Sequence, residues 1–347
     1  MHEATLHTRT YAELGRAGGV FKEELNDFQV EELALEEPSG TGEQLYLWVE
    51  KTDLNTEEVA RRLAEAAGCT VGDIGYAGLK DRHAVTRQYF SVPARAESLV
   101  ASAESATLRI LHTGRHTEKL RTGRLRGNRF RVLVRRVADP SALQAIAAQI
   151  DRQGLANTYG AQRFGRQGST LTLGLALMRG QPPAERISAR LMRLALSSVQ
   201  SALFNIYLEA RQRDGLLGRI VPGDVLEDAR LGMLVWSVNA TLEQARYERR
   251  EVVPTGPMFG LKMRWPQRDA LVREELILSR AGISVRDLAR FPKLMHGTRR
   301  ALVVYPSELH LTPDANGTWL SFVLPSGSYA TVLLEELGVD EAQATDD

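Results

Sequence analysis

The chain has 347 residues, 43% hydrophobic and 25% charged, a balance that supports two ordinary folded domains and excludes a disordered tail. Its apolar stretches, such as Val132–Val134 and Leu171–Met178, are short or broken by Thr and Gly, well below the roughly 20 residues of a membrane-crossing helix, so no membrane protein is expected. A single cysteine, Cys69, excludes an internal disulfide and a thiolate zinc cluster, and the early His2, Glu3, His7 and Arg9 do not read as a secretory signal; the expected location is cytoplasmic.

The net charge of +1 conceals an asymmetry. Glu23, Glu24, Asp27, Glu31, Glu32, Glu36 and Glu37 crowd one early stretch. Between His112 and Arg136 the chain carries Arg115, Lys119, Arg121, Arg124, Arg126, Arg129, Arg131, Arg135 and Arg136 against the single acid Glu118. A run so rich in arginine is expected to bind phosphates, the alternative being a solvated charged face.

In chain order, residues 27–32 and 43–51 alternate apolar and polar side chains and predict strands. Asn55 followed by Glu58 predicts a helix start, Val59, Leu63 and Ala67 share one face, and Gly68 is the stop. Gly72, Gly75 and Gly78 predict tight backbone turns ahead of the charged segment 79–86, and Gln88, Phe90 and Val92 another strand. From Asn128 onward, Phe130, Val132 and Val134 face one side of a strand and Arg129, Arg131, Leu133 and Arg135 the other. Pro140 opens a helix that ends before Gly154. The centre is more helical, over 171–179, 183–213, 269–280 and 285–289, with short strand-like interludes at 219–226 and 233–238. Strands return at 300–305, 309–311 and 318–324, the Ser326-Gly327 turn follows, and a last helix covers 331–337. The fold class expected is α+β, a mixed-sheet domain interrupted by a more helical insertion.

Standard nucleotide and metal motifs fail. Gly78 is followed by Leu79, Lys80 and Asp81, not by the Lys-Ser/Thr of a phosphate loop, and His112 and His116, although four apart, have Gly114 between them and no Glu to complete His-Glu-x-x-His, leaving them as solvent-exposed or phosphate-facing side chains. What remains is Asp81, between Lys80 and Arg82. A carboxylate flanked by cations stays ionised, as a nucleophile or general base must, although the same spacing also suits a surface ion pair. The segment Asn157-Thr-Tyr-Gly-Ala-Gln-Arg-Phe-Gly165 presents Gln162, Arg163 and Phe164 between glycines, and Gly127-Asn-Arg-Phe130 offers an amide and a ring; both suit RNA contact, and both also suit simple packing.

Taken together, Ala77-Gly-Leu-Lys-Asp-Arg-His-Ala-Val-Thr86, Asn157–Gly165, Ser198–Asn205 and Leu324-Pro-Ser-Gly-Ser-Tyr-Ala-Thr331 resemble the TruD family of transfer RNA pseudouridine synthases, in the family's order and across most of the chain. The resemblance implies an isomerase that detaches uracil from ribose and rejoins it through carbon, with no cofactor and no metal, acting on uridine 13 of a transfer RNA. It implies that Asp81 is the catalytic aspartate and Lys22 its basic partner. Phe28, Asn128, Phe130 and Tyr329 match substrate-contacting positions, and Lys80 of Ala77–Thr86 with Gln162 and Arg163 of Asn157–Gly165 are expected to bind substrate too. Tyr329 departs from the family pattern, in which phenylalanine is common; the ring face survives. The implied architecture is a pseudouridine synthase catalytic domain in two parts, 1–154 and 301–347, around an inserted domain at 155–300. A monomer is expected. The competing readings are an RNA-binding module without catalysis and a small-molecule nucleosidase, and the latter has no need of an arginine-rich face.

Overall fold

The computed structural model describes residues 8–181, 183 and 185–342; the expectation placed on His2, Glu3 and His7 lies outside them. Contacts divide the described chain into two units. One comprises 13–151, 306–330 and 337–342, the other 8–12, 152–305 and 331–336.

The first unit is built on an eight-stranded sheet. Its strands run Ser307–Asp314, Gly317–Pro325, Leu125–Val134, Phe28–Ala34, Val85–Pro93, Gln44–Thr52 and Leu108–His116, with the short Gly75–Tyr76 strand beside Val85–Pro93. Phe28–Ala34 and Val85–Pro93 pair in parallel and the other pairs are antiparallel, so the sheet is mixed. The helix Thr56–Ala67 starts where Asn55 accepts a hydrogen bond from the Glu58 amide and stops at Gly68 in the left-handed region, as its sequence dictates. Val59, Leu63, Ala64 and Ala67 pack on Leu45, Leu47, Val49, Phe90 and Val92. Each Val or Leu side chain buried this way contributes about 1.5–3 kcal/mol.

Two expectations for this unit need correction. The strand Leu108–His116 went unpredicted because it lies at a sheet edge, mostly exposed, and carries no apolar alternation. Gly72, Gly75 and Gly78 do not adopt positive φ. Gly75 is needed for close approach instead: a Cβ there would lie 2.3 Å from the Leu120 carbonyl oxygen and 2.4 Å from Ser91 Oγ.

The second unit holds a four-stranded sheet ordered Leu234–Trp236, Val225–Asp228, Val252–Met258, Thr298–Ala301, and a short pair of Leu155–Ala156 with Val303–Val304. Its helices are Ser169–Met178, Ala189–Arg213, Ala240–Glu248, Arg268–Ala281 and Val285–Ala289. The 25-residue helix Ala189–Arg213 buries Ala195, Leu196, Val199, Leu203, Phe204 and Leu208 in the core of this unit. Pro254, Gly256 and Pro257 hid the Val252–Met258 strand from pattern reading, since proline offers no N–H and weakens a strand signal. Both prolines are paired in the ladder, the Pro254 carbonyl accepts from the Leu302 amide, and Gly256 makes room for the Phe204 ring. The helix Ala240–Glu248 was also unpredicted, its only fully buried side chain being Tyr247. The α+β class is as expected.

Candidate active site

The segment 77–84, which carries Asp81, has no regular structure of its own yet is stapled to the sheet unit by buried polar groups. Lys51 Nζ donates to the Asp81 carbonyl at 2.7 Å and to the Leu54 carbonyl at 2.5 Å. The Lys80 amide donates to Thr56 Oγ1, whose hydroxyl donates in turn to Gln88 Oε1, and Gln88 Nε2 donates to the Gly78 carbonyl. Lys80 Nζ forms a 2.6 Å ion pair with Glu32, both side chains nearly inaccessible. Burial pushes the Glu32 carboxyl above its usual range, and Lys80 opposes that push.

These anchors leave the Asp81 side chain exposed. Among the described residues its carboxylate makes no hydrogen bond or ion pair. The expected electrostatics are therefore corrected: Lys80 is turned into the protein against Glu32, not toward substrate, and Arg82 pairs with Asp53 at 3.3 Å. The cation beneath Asp81 is Lys51, which sequence reasoning missed. Burial lowers its pKa to about 8, with Asp81 holding the proton on. A signal for it exists, because Lys51 continues the inward register of Leu45, Leu47 and Val49, where a lysine is out of place.

The sheet register places several other predicted residues on one face. Val30 lies opposite Phe130 and beside Thr86, and Thr86 lies opposite Lys51. Glu32 faces Asn128, which in turn faces Leu324. The Phe130 ring stacks on Phe322 at 5.2 Å and meets Phe28 edge-on at 6.1 Å, so both predicted rings sit in an apolar cluster. Asn128 Oδ1 and Thr86 Oγ1 are buried and have no hydrogen-bond partner among the described residues. Lys22, held at a positive φ, places Nζ 4.5 Å from the Phe28 ring centre and ion-pairs with Glu341 at 2.9 Å. Its ion-pair partner here is thus Glu341. Tyr329 is half-buried just before the helix Ala330–Leu337.

Gln162 and Arg163 belong to the other unit. Gln162 is exposed. Arg163 donates to Ser201 Oγ at 3.1 Å and Ser197 Oγ at 3.2 Å, with its guanidinium 5.4 Å from the Tyr159 ring centre. Asn205 accepts from the Tyr159 amide and donates to its carbonyl, and Gln200 donates to the Phe259 carbonyl. The segments 157–165 and 198–205 therefore interlock, and several of their polar side chains serve that junction.

The basic run also needs correction. The strand Leu125–Val134 pairs antiparallel with Phe28–Ala34, and this register brings the arginines onto the early acids. Arg124 pairs with Glu36 and Glu118, Arg129 with Glu31 and Glu308, Arg135 with Asp27 and Glu24, Arg136 with Glu23, and Arg115 with Glu97. Arg131 lies over the Trp319 ring. Much of the anticipated cationic face is thus neutralised within the sheet. His116 is not phosphate-facing: it is buried, 4.5 Å from the Tyr46 ring centre, and accepts from the Ser39 amide. Among the described residues no cluster of three or more His, Cys, Asp or Glu could hold a metal ion, and no helix is long and apolar enough to cross a membrane.

The model of the family "tRNA pseudouridine synthase D (TruD)" matches residues 6–185 and 183–337. The chain belongs to the TruD family. A tRNA pseudouridine synthase D of an Anaeromyxobacter species is 42% identical over 343 residues, covering 97% of this chain and 98% of the relative. One from Thermus thermophilus is 39% identical over 332 residues, 95% of this chain and 91% of its own. A solved structure titled putative tRNA pseudouridine synthase D from Methanosarcina mazei superposes with a TM-score of 0.76 over 96% of each chain at 22% identity, a likeness of fold. This TruD family member is thereby a pseudouridine synthase, an isomerase, with the fold class its sequence implied.

Proposed function

We propose that this chain isomerises uridine 13 of a transfer RNA to pseudouridine, with Asp81 as the catalytic residue. The observation that carries the reading is the exposed, unpartnered Asp81 carboxylate on a segment fastened by Lys51, Thr56, Gln88 and Lys80. A group that must attack a ribose carbon, or remove its proton, has to be ionised, accessible and held still. The reaction breaks the bond from N1 to C1′, forms one from C5 to C1′, moves a proton off C5 and returns one to N1. No redox step occurs, and atoms balance without a cofactor.

A uridine in folded RNA must first leave its stack, at a cost of a few kcal/mol. Phe28 and Phe130, both buried in this structure, would form the apolar wall behind the flipped base, with the half-buried Tyr329 adding a further ring. Asn128 Oδ1, buried with an empty acceptor, suits an N–H of uracil. Lys22, poised over Phe28, would supply positive charge to the pocket. Gln162 and Arg163 are read as RNA contacts of their own unit. We read the unit centred on 152–305 as the insertion anticipated at 155–300, with catalytic parts anticipated at 1–154 and 301–347. A cytoplasmic monomer is the working form, its partner the transfer RNA named in its relatives' titles.

The test is to incubate the protein with an unmodified transfer RNA transcript and map pseudouridine by carbodiimide labelling and primer extension. A stop at uridine 13 with wild type and none with Asp81→Asn is expected. Full turnover by Asp81→Asn would overturn the assignment.

A further inference from the structure

We propose that Lys51 is the positioning residue for Asp81, clamping the main chain of that residue from inside the protein and placing a positive charge beneath its carboxylate. The inference deepens the reading above and rests on Asp81 being the reacting group. Lys51 is fully buried, and a lysine so placed is usually paired with a carboxylate. Here the hydrogen bonds of Nζ go to two main-chain carbonyls, those of Leu54 and Asp81. An apolar residue at 51 would leave both carbonyls to find other donors. The strand that carries Lys51 ends at Thr52, and the 77–84 segment returns to the same place, where the Asp53 amide donates to the Ala84 carbonyl. Lys51 therefore ties the end of an interior strand of the sheet to the one residue of that segment whose side chain the reaction needs.

The same geometry explains why an ammonium serves here and not a neutral donor. The charged groups facing Lys51 are Asp81 and Asp53, which keep it protonated, and Lys80, which opposes them; desolvation, with Lys80 acting in the same direction, outweighs the two carboxylates and brings its pKa to about 8. Lys80 is committed to Glu32 and Arg82 to Asp53. Lys51 is thus left as the cation whose charge acts on Asp81 from within. Across the sheet it faces Thr86, whose hydroxyl oxygen has no partner among the described residues.

The test follows single-turnover isomerisation of a transfer RNA transcript from about pH 6 to about pH 10 for wild type, Lys51→Met and Asp81→Asn, with RNA affinity and thermal unfolding of each. Lys51→Met is expected to bind RNA within about threefold of wild type yet turn over about 100-fold more slowly, the loss typical of a reacting group displaced by about 1 Å. Wild type should lose rate as pH rises through the lysine's titration, and the variant should lack that limb. Wild-type turnover with an unchanged pH profile in Lys51→Met would overturn the proposal.

Should Lys51→Met fail to fold, the intact site still answers. In protein labelled with 13C at lysine Cε, Lys51 should titrate at lower pH in Asp81→Asn than in wild type, because a carboxylate that stabilises its proton has gone. An unmoved midpoint would overturn the charge coupling. Turnover by Asp81→Asn would instead overturn the catalytic assignment, so the two failures are distinguishable.

Discussion

Replacing Lys80 by methionine separates an anchoring role from a substrate-binding one. The Lys80 and Glu32 side chains are 4% and 1% exposed and 2.6 Å apart, and Glu32 also accepts from the Tyr89 amide. Lys80→Met leaves a carboxylate stranded in the sheet unit, and breaking a buried pair in this way costs about 3–5 kcal/mol. For a folded body of this size that is a fall in Tm of about 6–20 °C. Glu32 already has its pKa raised by burial, and losing Lys80 raises it further. A carboxyl held above its unfolded value contributes stability that is present in acid and lost as pH rises through the folded value. The deficit of the variant should therefore be smallest in acid and grow toward neutrality. Adding Glu32→Leu removes the stranded charge and should recover most of the loss, as apolar replacement of a buried pair often does. The assay is calorimetric unfolding of wild type, the single variant and the double variant between about pH 4.5 and pH 8, alongside filter binding of a transfer RNA transcript. Unchanged Tm together with a tenfold loss of RNA affinity would refute the reasoning and return Lys80 to the substrate.

Two further outcomes are expected. Glu274 is fully buried against Arg299, at 2.7 and 2.9 Å, and burial pushes its carboxyl up to about 7. Its contribution to stability should decline as pH rises from its ordinary value through about 7, so Glu274→Gln should flatten that part of the stability profile; an identical slope in both proteins would contradict this. Arg129 is neutralised by Glu31 and Glu308, so Arg129→Ala should leave the salt dependence of RNA binding unchanged, whereas a drop of about 0.9 in the slope of log K against log salt would identify a phosphate contact.

Local signals were legible wherever a short-range rule operates. Asn55, Glu58 and Gly68 bound a helix because capping depends on side chains a few residues apart, and the structure realises both ends. The alternation of Phe130, Val132 and Val134 marked a buried strand face for the same reason. Family membership was legible too, since four long motifs in order carry far more information than any one of them.

Contacts between strands remote in sequence were not legible. The acids at 23–37 and the arginines at 115–136 read as two separate fields of charge, and only the antiparallel register of Phe28–Ala34 with Leu125–Val134 joins most of them into ion pairs. Lys80 and Asp81 are adjacent in sequence, yet the fold sends one side chain into the protein and leaves the other exposed. By itself the sequence determined the family, the fold class and which aspartate to examine, because each is written in local pattern and residue identity. Which charges remain available, and that Lys51 stands behind Asp81, was decided by the tertiary structure, because burial and pairing belong to residues brought together only on folding.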